Sequence, residues 1–185
     1  MAGHKYEFFW HNPPQEWSFS HETLVLHADP KTDFWRKTHY GFVRDNGHFW
    51  YVNQKGDFEA TVKLVAEYRD QYDQAGLMVR LDNENWVKAG VEYVNGVQHA
   101  SVVVTREFSD WSVKSLETAP TAIWLKMRRE HDFLEISYSI DAERFQMLRL
   151  AYFPPSVEMQ VGIMAAAPEG NGFKALFEKF QLRNL

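Results

Sequence analysis

Alternation with a period of two runs through most of this chain, and it constrains the fold more than any other feature. Phe58, Ala60, Val62 and Leu64 alternate with Glu59, Thr61 and Lys63. Leu77, Val79 and Leu81 alternate with Met78, Arg80 and Asp82, and Ile123, Leu125 and Met127 with Trp124, Lys126 and Arg128. Successive side chains of a strand point to opposite faces, so this is the pattern of half-buried β-strands. Short turn signals fall between the runs: Asn12-Pro13-Pro14, Phe153-Pro154-Pro155 and Pro168-Glu169-Gly170-Asn171-Gly172. Only Asp141 to Met147 could make a helical turn, and nothing supplies the helical crossovers of a parallel α/β fold. The expectation is an all-β, two-sheet antiparallel sandwich of the jelly-roll kind, formed by one domain over residues 1–185.

Turns fix the strand registers. Asn95-Gly96 favours a two-residue type I′ hairpin. Folding there sets Val94 opposite Val97, Glu92 opposite His99, Gly90 opposite Ser101 and Trp86 opposite Thr105. The other face pairs Val91 with Ala100, Ala89 with Val102 and Val87 with Val104. Treating Asn83-Glu84-Asn85 as a three-residue loop places Arg80 opposite Lys88, while Leu81, Val79 and Leu77 join Val87, Ala89 and Val91. A second hairpin at His131-Asp132 aligns Met127 with Ile136, Leu125 with Tyr138 and Ile123 with Ile140. Its outer face carries Arg128 opposite Glu135, Lys126 opposite Ser137 and Trp124 opposite Ser139. A one-residue slip would turn either apolar face into water.

Composition removes several function classes. The net charge of −5 and the lack of a basic tract argue against nucleic-acid binding. No apolar run approaches the ~20 residues needed to cross a bilayer. Met1 to Trp10 has no basic region followed by an apolar stretch, so no signal peptide is expected. With no cysteine there is neither disulfide nor thiolate ligand, and a cytoplasmic location is the default. The eight histidines are scattered, so no metal or other cofactor is expected. The aromatic content of 16%, with seven tryptophans, means that large rings fill a core or line a binding face.

Tyr72-Asp73-Gln74-Ala75-Gly76-Leu77-Met78-Val79 and Trp86-Val87-Lys88-Ala89-Gly90-Val91-Glu92-Tyr93 resemble the regulation-of-enolase family, a domain of unknown function. Thr32-Asp33-Phe34-Trp35 with Thr38, Tyr40 and Gly41 resembles its N-terminal motif. Tyr138-Ser139-Ile140-Asp141, Gly162 to Pro168 and Gly172-Phe173 resemble its C-terminal half. The resemblance covers nearly the whole chain and implies a concanavalin A-like lectin/glucanase sandwich. It implies no reaction, and a shared fold does not confer function. Glucanases of this fold carry Glu-x-Asp-x-x-Glu on one strand; the nearest segment here, Phe133 to Ser137, has one carboxylate.

The registers gather Arg80, Trp86, Lys88, Glu92, His99 and Ser101 on one polar sheet face. As a groove floor, Trp86 would stack on a ring, Arg80 and Lys88 would hold hydroxyls or a carboxylate, and Glu92 would pair with His99. As a plain solvated face, the same residues would make cross-strand pairs worth ~0.2–1 kcal/mol each. A large ring on a wet face and a glycine within a strand favour the groove. Asp33-Phe34-Trp35, with His39 and Tyr40, could fold over its edge and bring Trp35 as a second platform, or plug the end of the sandwich. Tyr72-Asp73-Gln74 either caps the groove mouth or is a turn held by Asp73. Trp124, Lys126 and Ser139 continue the polar face on the other hairpin. Trp111, in phase with Val113, is assigned to the core.

The leading expectation is a domain binding a small molecule, a carbohydrate or sugar acid, on one concave sheet face. An alternative is a glycoside hydrolase or lyase using Glu92 and His99, although Glu92 lacks the carboxylate partner that glycosidases need. A Ser101/His99/Glu92 triad lacks an oxyanion-hole turn. A third is a protein-interaction or metabolic-regulatory module, with self-association into a homo-oligomer left open.

Overall fold

The computed structural model describes residues 6–155 and 158–185. Sixteen strands make up its regular structure, with no α-helix among the described residues. The first eight are β1 (Phe9–His11), β2 (Glu16–Ser20), β3 (Thr23–Ala28), β4 (Phe34–Arg36), β5 (Val43–Asp45), β6 (His48–Lys55), β7 (Phe58–Ala66) and β8 (Gln74–Arg80). The others are β9 (Asn85–Val94), β10 (Val97–Arg106), β11 (Phe108–Ser115), β12 (Ile123–Glu130), β13 (Phe133–Ser139), β14 (Gln146–Tyr152), β15 (Glu158–Ala166) and β16 (Phe173–Asn184). One seven-stranded sheet has the order β1-β6-β15-β8-β9-β10-β11, and a second has β14-β13-β12-β7-β16-β3-β2. Their strands pair antiparallel. β4 and β5 form a separate two-stranded ribbon.

The period-two pattern dictates the core. Val87, Ala89 and Val91 of the first sheet face inward with Leu77, Val79 and Ile163. They meet Phe58, Val62, Leu64, Leu125, Ile136 and Phe177 from the second sheet, all in one buried cluster. Each large aliphatic or aromatic side chain so buried contributes about 1.5–3 kcal/mol relative to exposure.

The Asn95-Gly96 hairpin has the expected register, from Val94 opposite Val97 to Trp86 opposite Thr105. Both turn residues have positive φ (52° and 80°), as a type I′ turn requires. The His131-Asp132 hairpin also pairs as expected from Trp124–Ser139 to Arg128–Glu135, but Ile140 lies beyond the ladder and is exposed rather than in the core.

The β8–β9 register differs from expectation by two residues. Arg80 faces Trp86 and Lys88 faces Met78, with Leu77 opposite Ala89 and Val79 opposite Val87. The loop begins one residue earlier than expected because the Asp82 carboxylate accepts the backbone N–H groups of Glu84 and Asn85, at 2.8 and 2.9 Å. Such an Asx turn makes Asp82 the first loop residue. A two-residue shift preserves each strand's faces, so the core assignment survives while Arg80 and Lys88 separate. Gly76 now faces Gly90, and a Cβ on either would stand 2.0 or 1.9 Å from a carbonyl oxygen of the opposite strand. The glycines are there because the two strands approach too closely for a side chain.

Candidate functional site

The outer face of the first sheet is not an open polar surface. The β4–β5 ribbon lies across it, and Phe34 joins Phe49, Met78, Trp86, Val103 and Met164 in a second apolar cluster. Gly47 makes room, since a Cβ there would come within 2.3 Å of the Phe34 ring. Polar contacts fasten the ribbon. Arg80 donates two hydrogen bonds to the Asp45 carboxylate, at 2.7 and 2.9 Å, and Arg36 Nη2 lies 2.6 Å from Glu84 Oε1. The Arg36 backbone N–H donates to Ser109 Oγ at 3.0 Å.

Beside the ribbon lies a pocket with about 530 Å³ of empty space, including its open mouth. Trp35, Tyr40 and Phe42 from the ribbon and its turn line it together with Tyr72 and Trp111. Trp35 meets Tyr40 edge to face at 5.7 Å, and Tyr72 meets Trp111 likewise at 6.4 Å. Tyr40 and Tyr72 hydroxyls lie 3.2 Å apart. That hydrogen bond, then partial burial, pushes the Tyr40 pKa up to about 12.

Charged groups lie deep in the pocket. Lys88 is buried, and its Nζ donates to the Phe34 carbonyl at 2.8 Å and to Gln74 Oε1, with Asp33 Oδ1 at 3.9 Å. Glu92 is 7% exposed, and its Oε2 accepts from Ser101 Oγ at 2.7 Å and Trp111 Nε1 at 2.9 Å. Burial pushes the Glu92 carboxyl above its ordinary range, against the attraction of Lys88. Burial likewise lowers Lys88, against the pull of Asp33 and Glu92. A carboxyl and an ammonium whose pKa values are displaced in opposite directions thus line the same pocket, a pattern frequent at functional sites.

The structure brings Trp35, Lys88 and Glu92 to the pocket lining and puts Ser101 behind Glu92. Other candidates are placed differently. Trp86 is 1% exposed, packed under Phe34 rather than offered to a ligand. Arg80 is taken up by Asp45 and does not stand beside Lys88. His99 faces Glu92 in register, but its Nδ1 lies 3.0 Å from the Val97 carbonyl and the ring is outside the pocket. Trp124 sits on the outer face of the second sheet, beneath Lys63 Nζ at 5.7 Å, so it does not share a groove with Trp86. Residues 72–74 include the turn held by Asp73, whose Oδ2 accepts the Arg69 and Asp70 backbone N–H groups, while Tyr72 and Gln74 are among the pocket's lining residues.

Trp111, assigned to the core from its phase, instead projects over the pocket opposite Val103. The signal that could have found it is the register across β10–β11. That hairpin turns at Glu107, which has a positive φ of 61° but no turn-forming residue type. Phe42, Arg44, Pro168 and Glu169 complete the lining; Phe42 and Arg44 carried no sequence signal, and Pro168-Glu169 was legible only as part of a turn. Among the described residues no group of three or more His, Asp or Glu side chains is placed to hold a metal.

A family described as a protein of unknown function (DUF1349) matches residues 10–185. The protein named Regulation of enolase protein 1, from Saccharomyces cerevisiae, is 40% identical over 173 residues, which is 94% of this chain and 87% of that one. The crystal structure of a functionally unknown protein from Saccharomyces cerevisiae superposes with a TM-score of 0.92 at 40% identity, covering 96% of both chains. A legume lectin-like domain from Entamoeba histolytica superposes with a TM-score of 0.65 at 8% identity, over 96% of this chain and 90% of the other. That last likeness is one of fold alone, and it places the sandwich in the concanavalin A-like class.

Proposed function

This chain belongs to the DUF1349 family, a family of proteins of unknown function, and from that premise we propose that it is a binding domain for a carbohydrate held in the aromatic pocket of its first sheet. One observation carries the reading. Glu92 is almost wholly buried, yet its Oε1 takes no hydrogen bond from any described residue, and the side chain lines a pocket walled by five aromatic rings. Oε1 is not among the atoms sealed from solvent without a partner, so it is open to the pocket and can accept from a ligand's hydroxyl or N–H. Aromatic faces supply the apolar surface on which a sugar ring packs. The lectin-like neighbour supports the substrate class by fold analogy.

A thermal-shift screen of neutral, acidic and amino sugars tests it, repeated with Trp111→Ala. Stabilisation by at least one sugar, weakened about tenfold or more in the variant, is expected. No response to any sugar, or a response indifferent to Trp111, would refute the assignment. If turnover of a chromogenic glycoside accompanied binding and vanished in Glu92→Gln, the pocket would be catalytic.

The name of the 40% identical yeast protein favours a second reading, a module regulating a metabolic enzyme. A stoichiometric complex with enolase on size-exclusion chromatography, undiminished by Trp111→Ala, would move the function to a protein surface.

A further inference from the structure

We infer that the pocket receives an ammonium group, so that its ligand is an amine-bearing molecule rather than a sugar acid. The inference rests on the pocket being the binding site and concerns the charge of what enters it.

The hydrogen bonds of the buried polar groups point this way. Of the nearby cations, the buried Arg80 and Lys88 are engaged, while Arg44, half-buried on the lining, stacks on Phe42. Arg80 gives two hydrogen bonds to Asp45, and Lys88 has the Phe34 carbonyl, Gln74 Oε1 and Asp33 around its ammonium. Two of its three donors make hydrogen bonds, and Asp33 at 3.9 Å adds an ion-pair contact. Among the buried carboxyl groups, acceptor capacity remains. Glu92 Oε2 takes Ser101 and Trp111, leaving Oε1 without a partner among the described residues. Asp33 Oδ1 takes the Phe34 N–H and Gln74, leaving Oδ2 similarly free. Both residues line the pocket.

Charge balance points the same way. The lining holds the carboxyl groups of Asp33, Glu92 and Glu169 against the cations Lys88 and Arg44. Arg44 stacks on Phe42, its guanidinium carbon 4.3 Å from the ring centroid, and Glu169 offsets it elsewhere on the lining. The buried set of Asp33, Lys88 and Glu92 therefore has one more carboxyl than ammonium. An excess negative charge is expensive where water is excluded, and it is relieved by protonation of Glu92 or by a bound cation. A carboxylate ligand would add to the excess.

The walls suit a cation as well. Trp35 and Tyr40 stand at 74° to each other, and Tyr72 and Trp111 at 76°. Aromatic ring faces attract positive charge, and five such rings line this pocket.

Isothermal titration against matched probes tests the inference: D-glucosamine, N-acetyl-D-glucosamine, D-glucose, D-glucuronate and tetramethylammonium. Glucosamine is expected to bind at least about tenfold more tightly than the neutral N-acetyl compound. Glu92→Gln should reduce that preference, and Lys63→Gln, on the other sheet, should leave it unchanged. Glucose or glucuronate binding as well as glucosamine would overturn the ammonium reading while leaving the pocket reading intact. Tetramethylammonium binding without any sugar would uphold the ammonium and remove the sugar. Silence from all five would overturn both.

Discussion

Lys88 Nζ lies 2.8 Å from the Phe34 carbonyl oxygen, a hydrogen bond that ties the sheet floor to the ribbon lying over it. The same ammonium is bonded to Gln74 and lies 3.9 Å from Asp33, so one side chain fixes the ribbon and offsets part of the pocket's negative charge. Lys88→Met removes the cation and leaves two carboxyl groups and a carbonyl without it. Losing one partner of a buried charged network should destabilise the fold by about 3 kcal/mol, read from urea unfolding. A loss under about 1 kcal/mol would show that the ribbon does not depend on Lys88.

Trp86 and Trp111 stand on the same sheet face and should respond in opposite ways. Trp86 is 1% exposed beneath Phe34, whereas Trp111 is 38% exposed over the pocket. Trp86→Ala should reduce stability by about 3–5 kcal/mol through the cavity it leaves. Trp111→Ala should reduce it by no more than about 1.5 kcal/mol while weakening ligand binding about tenfold or more. Unfolding curves and ligand titrations on the two variants separate the roles, and an equal effect of both on stability would contradict this division.

The raised pKa of Glu92 gives a signed pH dependence. A carboxyl whose folded pKa exceeds its unfolded one holds more protons in the native state. Stability therefore falls as pH rises from the ordinary glutamate value of about 4.3 through the folded value. Glu92→Gln should make this decline shallower, with Asp73, also raised by burial, supplying the remainder. Urea midpoints across that window measure it, and an unchanged slope would contradict the assignment.

Asp82 determines where the β8–β9 loop begins. Burial raises its carboxyl pKa, but the hydrogen bonds from Glu84 and Asn85 outweigh this and hold it below the ordinary range. Asp82→Ala should cost about 1–2 kcal/mol and loosen the register that keeps Arg80 away from Lys88. Amide hydrogen exchange at Leu81 and Asn85, paired in this turn, reports it directly.

Much of this architecture could be read from the chain where two independent signals agree. At Asn95-Gly96, the turn residues and the alternation of Val87, Ala89 and Val91 against Ala100, Val102 and Val104 admit one register only. At Asp82 they did not agree fully: alternation tolerates a shift of two, and a side-chain cap made the choice. The ribbon was harder to see because β4 and β5 have three residues each, too few to show a period. Its Asp33-Phe34-Trp35 motif was visible, but its placement was not: Phe34 packs on the outer face of the first sheet rather than in the end of the sandwich, and Trp35 lines the pocket. Trp111 was misplaced because β11 is an edge strand with Trp111 and Val113 both exposed, so alternation there carries no burial signal. The free acceptors of Glu92 and Asp33 depend on which hydrogen bonds form across the ribbon, and no sequence pattern encodes that.

The seven tryptophans provide the most direct test of the central claim. Their indole N–H signals in a ¹H–¹⁵N correlation spectrum, followed while glucosamine is titrated, localise binding. The account expects saturable shifts at Trp35 and Trp111, with Trp124 on the opposite sheet unmoved. Shifts centred on Trp124, or none at Trp111 while glucosamine is bound, would contradict it.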